Sequence, residues 1–526
     1  MKHLIAVLIV FALCFSSVFA LAEEPVILTS ARAMDPTVSF DDSDPEKRSF
    51  DENRWNSKIL QALNVKLSYK WIATDHDTNT TKWSAAMASG DLPDFALVSD
   101  TVYKLLVDMG AVADCTKIWN ENISDAYKAL LGQNAVSQMT YDDKLLGLPW
   151  PTKGYNGANL LFVRQDWLDK LNLKYPQTWE EIVNVARAFK AAQLGGEGTI
   201  GLLVSYQNEG QISGVMNVFN AQLDYWVERD GKLVWSNIQP EMRTALLELQ
   251  KLYAEGLINA DAIVATEDLT REYIASGKVG IFYGIAYTPT LVLNTLYTND
   301  PSANVVSSTI KDVNGEPIRF QTSTPNVGKI FVNANCKNPE KVAEVINLVT
   351  ELTNSTDLKT INDYSWDVDG FAWIKFNPFG DTPANAINDL AAANEIRLAL
   401  EAGASSSAEY PFTIPDANSW YNATLAAKEG EGAPGDIWWY LTLGENGTFT
   451  QLYDAYQSGL HLDNGYVGLP TSTQELLGDI VNDQLNVAMQ EVIMGSDISV
   501  YDAACEAWLA NGGQLITDEV NAASGR

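Results

Sequence analysis

Histidine, the commonest acid–base and metal-ligating side chain, is nearly absent: of three, only His76 and His461 lie beyond residue 22. Imidazole-built zinc sites and Ser-His-Asp triads are therefore poorly supplied. No G-x-S-x-G, H-E-x-x-H or Walker A sequence occurs. Gly196-Glu197-Gly198-Thr199-Ile200-Gly201 has the form of a dinucleotide loop. It follows a helical pattern that ends near Lys190 and leads into Leu202-Leu203-Val204, whereas phosphate binding needs a strand before the loop and a helix after it. It reads as a turn. Asp363, Asp367 and Asp369-Gly370 look slightly like a calcium loop, but the closing bidentate acid would fall near Phe376. A solvated acidic turn is the expectation there, with no metal and no cofactor anywhere. Among 67 Asp and Glu some pair will approach by chance, as a glycosidase requires. No local motif selects one, so a secreted glycan hydrolase stands as the alternative function. A surface adhesin without a small ligand is a third reading.

Aromatic residues are the more informative surplus: 15 Trp, 21 Tyr and 17 Phe, many of them beside turn residues. Trp150 sits in Pro149-Trp150-Pro151, Tyr155 beside Gly154, Tyr283 and Tyr287 around Gly284, Trp366 beside Asp367, with Trp373 close by. Most aromatics belong to cores, and Trp167, Trp179 and Trp508 lie on helical stripes. Rings held by loops near Asn, Asp and Gln suit a sugar, because the ring covers the C–H face of a pyranose while polar groups take its hydroxyls.

The elements that must hold such rings are partly legible. Thr178-Trp179-Glu180-Glu181 is a capping box, followed by Ile182, Val185, Ala186 and Phe189 at helical spacing. Asn338-Pro339 opens a second helix with Val342, Val345, Ile346 and Val349 on one face. Ser472…Glu475 predicts a further box and a helix through Met494. Alternation at Val65, Leu67, Tyr69 and Trp71, and apolar runs at 94–98 and 279–283, predict strands. Strands interleaved with helices imply α/β layers.

The chain has 526 residues and a net charge of −32, which disfavours nucleic acid and anionic membranes as partners. Lys2, the apolar run from Leu4 to Val18 and Ala20-Leu21-Ala22 predict a signal peptide, 1–22, cut before Glu23. Bulky Leu13 before Cys14 is not a lipidation signal, so an exported, periplasmic or extracellular protein without a lipid anchor is expected. Cys115, Cys336 and Cys505 remain, read as buried structural thiols.

Several segments resemble, in order, extracellular solute-binding proteins of ABC importers (family 1, the large oligosaccharide-type branch). Ala88-Ser89-Gly90-Asp91-Leu92-Pro93-Asp94, Gly147-Leu148-Pro149 with Phe162 to Leu171, Pro176 to Lys190, Ser276 to Gly280, Asn333 to Leu348, Glu491 to Gly495 and Gly512 to Asn521 carry the likeness. The resemblance implies a periplasmic-binding-protein-like α/β fold: two lobes of sheet flanked by helices, joined by a hinge, with the ligand in the cleft between. The implied bounds are 23–155 and 290–362 for lobe one, 156–289 and 363–470 for lobe two, and 471–526 for helices packing across the hinge. The implied function is capture of a carbohydrate by hinge closure and its delivery to permease subunits, by a monomer with no enzymatic activity. Matching the family's motifs onto this chain puts Met34 and Asp35, Asp100 and Tyr103, Trp150, Lys153 and Tyr155, Tyr206, Gln207 and Asn208, and Tyr283 and Tyr287 in the cleft. Trp366, Trp373 and Trp420 are added from composition. The Asp/Asn-rich calcium loop of many large relatives is replaced here by Ala191 to Gly198.

Overall fold

Two separate hydrophobic cores organise the chain in the computed structural model, which describes residues 24–35, 38–132, 135–152, 154–155, 157–322, 327–366 and 372–526. The strands that build them are, in chain order, β1 (Val26–Ala33), β2 (Val65–Ala73), β3 (Phe95–Val98), β4 (Leu148–Trp150), β5 (Asn159–Arg164), β6 (Ile200–Leu203), β7 (Val279–Ile285), β8 (Val305–Ser308), β9 (Phe320–Gln321), β10 (Gly328–Val332) and β11 (His461–Leu462). The signal peptide and the Asp367–Asp369 turn predicted from sequence lie outside the described residues.

Lobe one holds the sheet β3-β10-β4, in which Ile330 faces Leu97 and Leu148 across antiparallel ladders. The parallel pair β1-β2 lies alongside, joined to it where Asp94 N–H donates to Thr29 O at 2.9 Å. Lobe two holds β8-β5-β7-β6. All six residues of β5 are buried, the pattern of a central strand covered on both faces.

The predicted helices form for the expected reasons. Thr178 and Glu181 close the capping box of the helix Trp179–Ala192, and its apolar stripe is buried. Pro339 opens the helix Pro339–Thr353. The third box is displaced by one residue. Thr471 and Gln474 cap each other, while Glu475, the acid of the expected box, pairs with Lys104 at 3.4 Å, and Thr473 Oγ1 donates to Glu519 Oε1 of the last helix at 2.7 Å. Gly280 of β7 lies under two rings: a Cβ there would press into Phe189 and stand 2.9 Å from Trp167 Cζ3. Gly280→Ala should lower stability by about 1–3 kcal/mol. An unchanged urea midpoint would show that this packing yields.

Three expected bounds are corrected. Residues 290–320 join lobe two, because β8 pairs with β5, Val305 opposite Arg164. Ile374, Phe376 and Phe379 join lobe one, where Phe379 meets Trp150. The C-terminal helices Asp479–Ile493, Ser499–Trp508 and Gln514–Ala523 share the core of lobe two through Leu485, Met489, Trp508 and Val520. Just before them, in the segment Gln474–Gly478, Glu475 pairs with Lys104 of lobe one at 3.4 Å. By core membership the chain crosses between lobes after Trp150, after Phe320 and after Phe379.

Cys115 is buried and Cys336 and Cys505 are half-buried, all free thiols. Burial pushes Cys115 up to about 12 and Cys336 up to about 11, so neither is nucleophilic at neutral pH. No helix among the described residues is long and apolar enough to cross a membrane.

Candidate ligand cleft

The loop after β6 is a rigid shelf. Ser205 Oγ donates to Glu209 O at 2.7 Å, Ser205 N–H to Gly210 O at 2.6 Å, and Gly210 N–H to Tyr283 O at 2.7 Å. Gly210 has φ +80°, and a Cβ would come 2.8 Å from Leu203 Cγ, so only glycine fits the turn. Beneath it Glu209 is fully buried, its Oε2 3.2 Å from Arg271 Nε. Burial raises the Glu209 carboxyl, and the Arg271 guanidinium opposes that rise. The shelf presents Tyr206, Gln207 and Asn208, all half-buried, with the Tyr206 hydroxyl buried and without a partner among the described residues.

Beside this shelf lies a cavity of about 230 Å³ lined by Asn159, Tyr206, Gln211, Ser213, Asp224 and Tyr225, with Gln321 and Thr322 from the crossing strand. Asn159 is only 7% exposed; its Nδ2 donates to Ser213 Oγ at 3.1 Å, but its Oδ1 has no partner among the described residues. Gln211 Oε1 is likewise unpartnered. A buried acceptor left unmet costs about 1–3 kcal/mol, so such atoms mark where a donor is wanted. Asp224 adopts φ 59°, a conformation that Asp tolerates better than most residues. Its Oδ1 accepts from Asn237 Nδ2 at 2.7 Å, and desolvation raises its carboxyl against that hydrogen bond.

The cavity wall is tied to the segment that crosses between lobes. Gln321 Nε2 donates to Leu223 O at 2.9 Å, Tyr225 OH to Thr322 O, and Thr322 Oγ1 to Asp463 Oδ1 at 2.5 Å. Larger hollows, of about 780, 910 and 620 Å³, lie beside Lys104 and Tyr466, beside Trp226 and Arg319, and beside Tyr175 and Gln451. Among the described residues, none of these is lined by a buried polar atom lacking a partner.

The sequence-expected residues divide. Tyr206 lines the cavity, and Asn208 stands beside it with Nδ2 on Glu267 Oε1 at 3.2 Å. Tyr155 is half-buried on the crossover, edge-on to Tyr456 and His461, its phenol pushed to about 12 by burial and by Asp463. Tyr287 is half-exposed and donates to Asp389 Oδ2 at 2.6 Å. Asp35 and Asp100 pair with Lys375 at 2.9 Å and Lys329 at 3.5 Å on lobe one. Trp366 is 37% exposed, and Trp420 is half-buried on the helix Pro415–Lys428. Lys153 lies outside the described residues.

Four expectations are corrected by burial. Tyr103 is fully buried and donates to Leu146 O at 2.6 Å. Trp150 is packed at 4.5 Å on Phe379. Tyr283 is buried beneath the helix Ile212–Val218, against Gly214. Trp373 is buried under Arg54, whose guanidinium stands 3.6 Å above its ring. None of these rings offers a free face. Sequence reasoning missed Asn159, Gln211, Ser213, Asp224, Tyr225, Gln321 and Thr322. The one available signal was Asn159, a polar residue opening the apolar run Leu160 to Val163.

The sequence profile described as bacterial extracellular solute-binding protein matches residues 55–352, more than half of the chain. The chain belongs to this family. This solute-binding protein is 25% identical over 250 residues to the polygalacturonan/rhamnogalacturonan-binding protein YtcQ of Bacillus subtilis, covering 44% of the chain and 47% of YtcQ. It is 24% identical over 286 residues to lipoprotein LipO of the same organism, covering 52% and 55%. The chain thus spans about half the length of the curated relatives it matches. Two solved structures share the fold of this solute-binding protein over nearly their whole length. The alginate-binding protein AlgQ2 aligns with TM-score 0.61 at 15% identity, covering 96% of this chain and 99% of that one. A solute-binding protein of Bifidobacterium longum infantis, titled as HMO-binding and associated with an ABC transporter, aligns with TM-score 0.62 at 16% identity, covering 95% and 99%. The periplasmic-binding-protein-like α/β fold is therefore shown.

Proposed function

We propose that this protein is the extracytoplasmic receptor of an ABC importer, which captures an oligosaccharide between its lobes and passes it on chemically unchanged. The observation that carries this reading is the cavity at the lobe-two edge of the crossover. Acceptors without donors, Asn159 Oδ1 and Gln211 Oε1, line it together with the phenol rings of Tyr206 and Tyr225. Rings for sugar faces and polar atoms for hydroxyls are what carbohydrate capture requires. The names of the relatives, which bind polygalacturonan, alginate and HMO, support the same class.

Tyr206, Asn208, Tyr155 and Tyr287 are proposed as lobe-two contacts. Asp35, Asp100, Trp366 and Trp420 are kept as contacts that closure would bring in. Because Gln321 and Thr322 belong both to the crossing strand and to the cavity wall, a ligand that engages the wall also biases the hinge. Closure is then what the permease reads. The protein is proposed to act as a monomer without enzymatic activity, exported and free of a lipid anchor.

Micromolar affinity needs about −8 kcal/mol. One net hydrogen bond gives about 0.5–1.5 kcal/mol, so ring stacking and closure must supply much of the rest. A thermal-shift panel of oligosaccharides should show saturable stabilisation by at least one glycan. Stabilisation by peptides or other solutes alone would reject the assignment, and release of shortened sugars would turn it toward hydrolysis.

A further inference from the structure

We infer that the cavity selects uncharged sugars, with Asp224 as the residue that rejects uronates and takes a sugar hydroxyl instead. The inference rests on the carbohydrate reading above and goes on to the ligand's charge.

Among the described residues the lining combines unmet acceptors with the buried, unpartnered Tyr206 hydroxyl and has no cation. Asn159 Oδ1 and Gln211 Oε1 are unpartnered, and Asp224 offers its second oxygen, since Asn237 uses only Oδ1. No Lys, Arg or His lines the cavity among the described residues. Among the described residues, cations near the expected cleft residues are engaged: Arg271 by Glu209 and Glu267, Lys375 by Asp35, Lys329 by Asp100. A second carboxylate, Asp463, stands behind Thr322. It is near enough to Tyr155 and Tyr225 to raise both phenols further beyond the effect of burial.

A uronate carboxylate is an acceptor only. Against the described lining it would meet the Asp224 carboxylate, with the Tyr206 hydroxyl as a neutral donor and no guanidinium or ammonium among the described residues to compensate, within a chain of net charge −32. A neutral pyranose presents hydroxyls that donate to those same oxygens. Hydrogen bonds to an ionised group are the stronger kind, which gives Asp224 the largest share. The selectivity is thus opposite to that of relatives named for polygalacturonan and alginate.

Calorimetric titration of the full chain tests this with two panels. One holds neutral malto-, galacto-, xylo- and fructo-oligosaccharides; the other holds oligogalacturonates and alginate oligomers. Saturable binding is expected in the neutral panel and none in the uronate panel. Asp224→Asn keeps the acceptor for Asn237, so the fold should persist by circular dichroism. Its affinity for the best neutral glycan should fall about tenfold or more. A uronate that binds as tightly as the best neutral sugar would overturn the charge selection while leaving carbohydrate capture intact. Full affinity in Asp224→Asn would remove the role of Asp224. Silence in both panels would overturn the carbohydrate reading and this inference together.

Discussion

Trp150→Ala should destabilise the protein by about 3–5 kcal/mol, the cost of emptying a large buried aromatic site. The ring is 2% exposed, lies 4.5 Å from Phe379 and is neighboured by Tyr127, whose hydroxyl donates to Pro149 O at 2.6 Å. All three belong to lobe one and none reaches the cavity on lobe two. The expected signature is a lower urea midpoint for the transition of that lobe. Sugar affinity, measured well below the transition, should change little. A variant of normal stability that no longer binds sugar would return Trp150 to the site.

Tyr206→Ala should act in the opposite way. Tyr206 is half-buried, its hydroxyl without a partner, on a shelf whose hydrogen bonds are made by the backbone and by Ser205, so its ring can be removed without taking down the loop. Loss of a well-placed aromatic contact costs about 2 kcal/mol, or about thirtyfold in Kd. Titration with the best glycan should show that loss, while the melting temperature of the unliganded protein stays nearly constant. An unchanged Kd would mean that the ligand does not touch this shelf.

The contrast between these two residues explains what the sequence could disclose. Both are aromatic residues flanked by polar or turn residues, and both fitted a stacking role. What separates them is whether another part of the chain covers the ring. Phe379 covers Trp150 from 229 positions away, and no local pattern announces such a partner. Tyr283 is similar: β7 was legible as an apolar run, but the close approach of Gly214 above its ring was not.

Local chemistry transferred well where it was self-contained. The box of Thr178 and Glu181 formed as predicted, whereas that of Ser472 and Glu475 gave way to Thr471 and Gln474, with Glu475 paired to the distant Lys104. The ordered motifs brought out the family and the two-lobed fold. The bounds between lobes failed at β8, whose place beside β5 is a long-range pairing. The cavity failed for the same reason. Asn159, Asp224 and Gln321 come from three segments that only the folded crossover brings together.

Hydrogen exchange of the full chain, with and without the glycan that stabilises it most, tests the central claim most directly. Slower exchange is expected at 205–211, 223–225 and 320–322, the shelf, the wall and the crossing strand, with the sugar recovered intact. Protection confined to 466–472 and 519–526, or a sugar recovered in pieces, would contradict capture and release at the crossover.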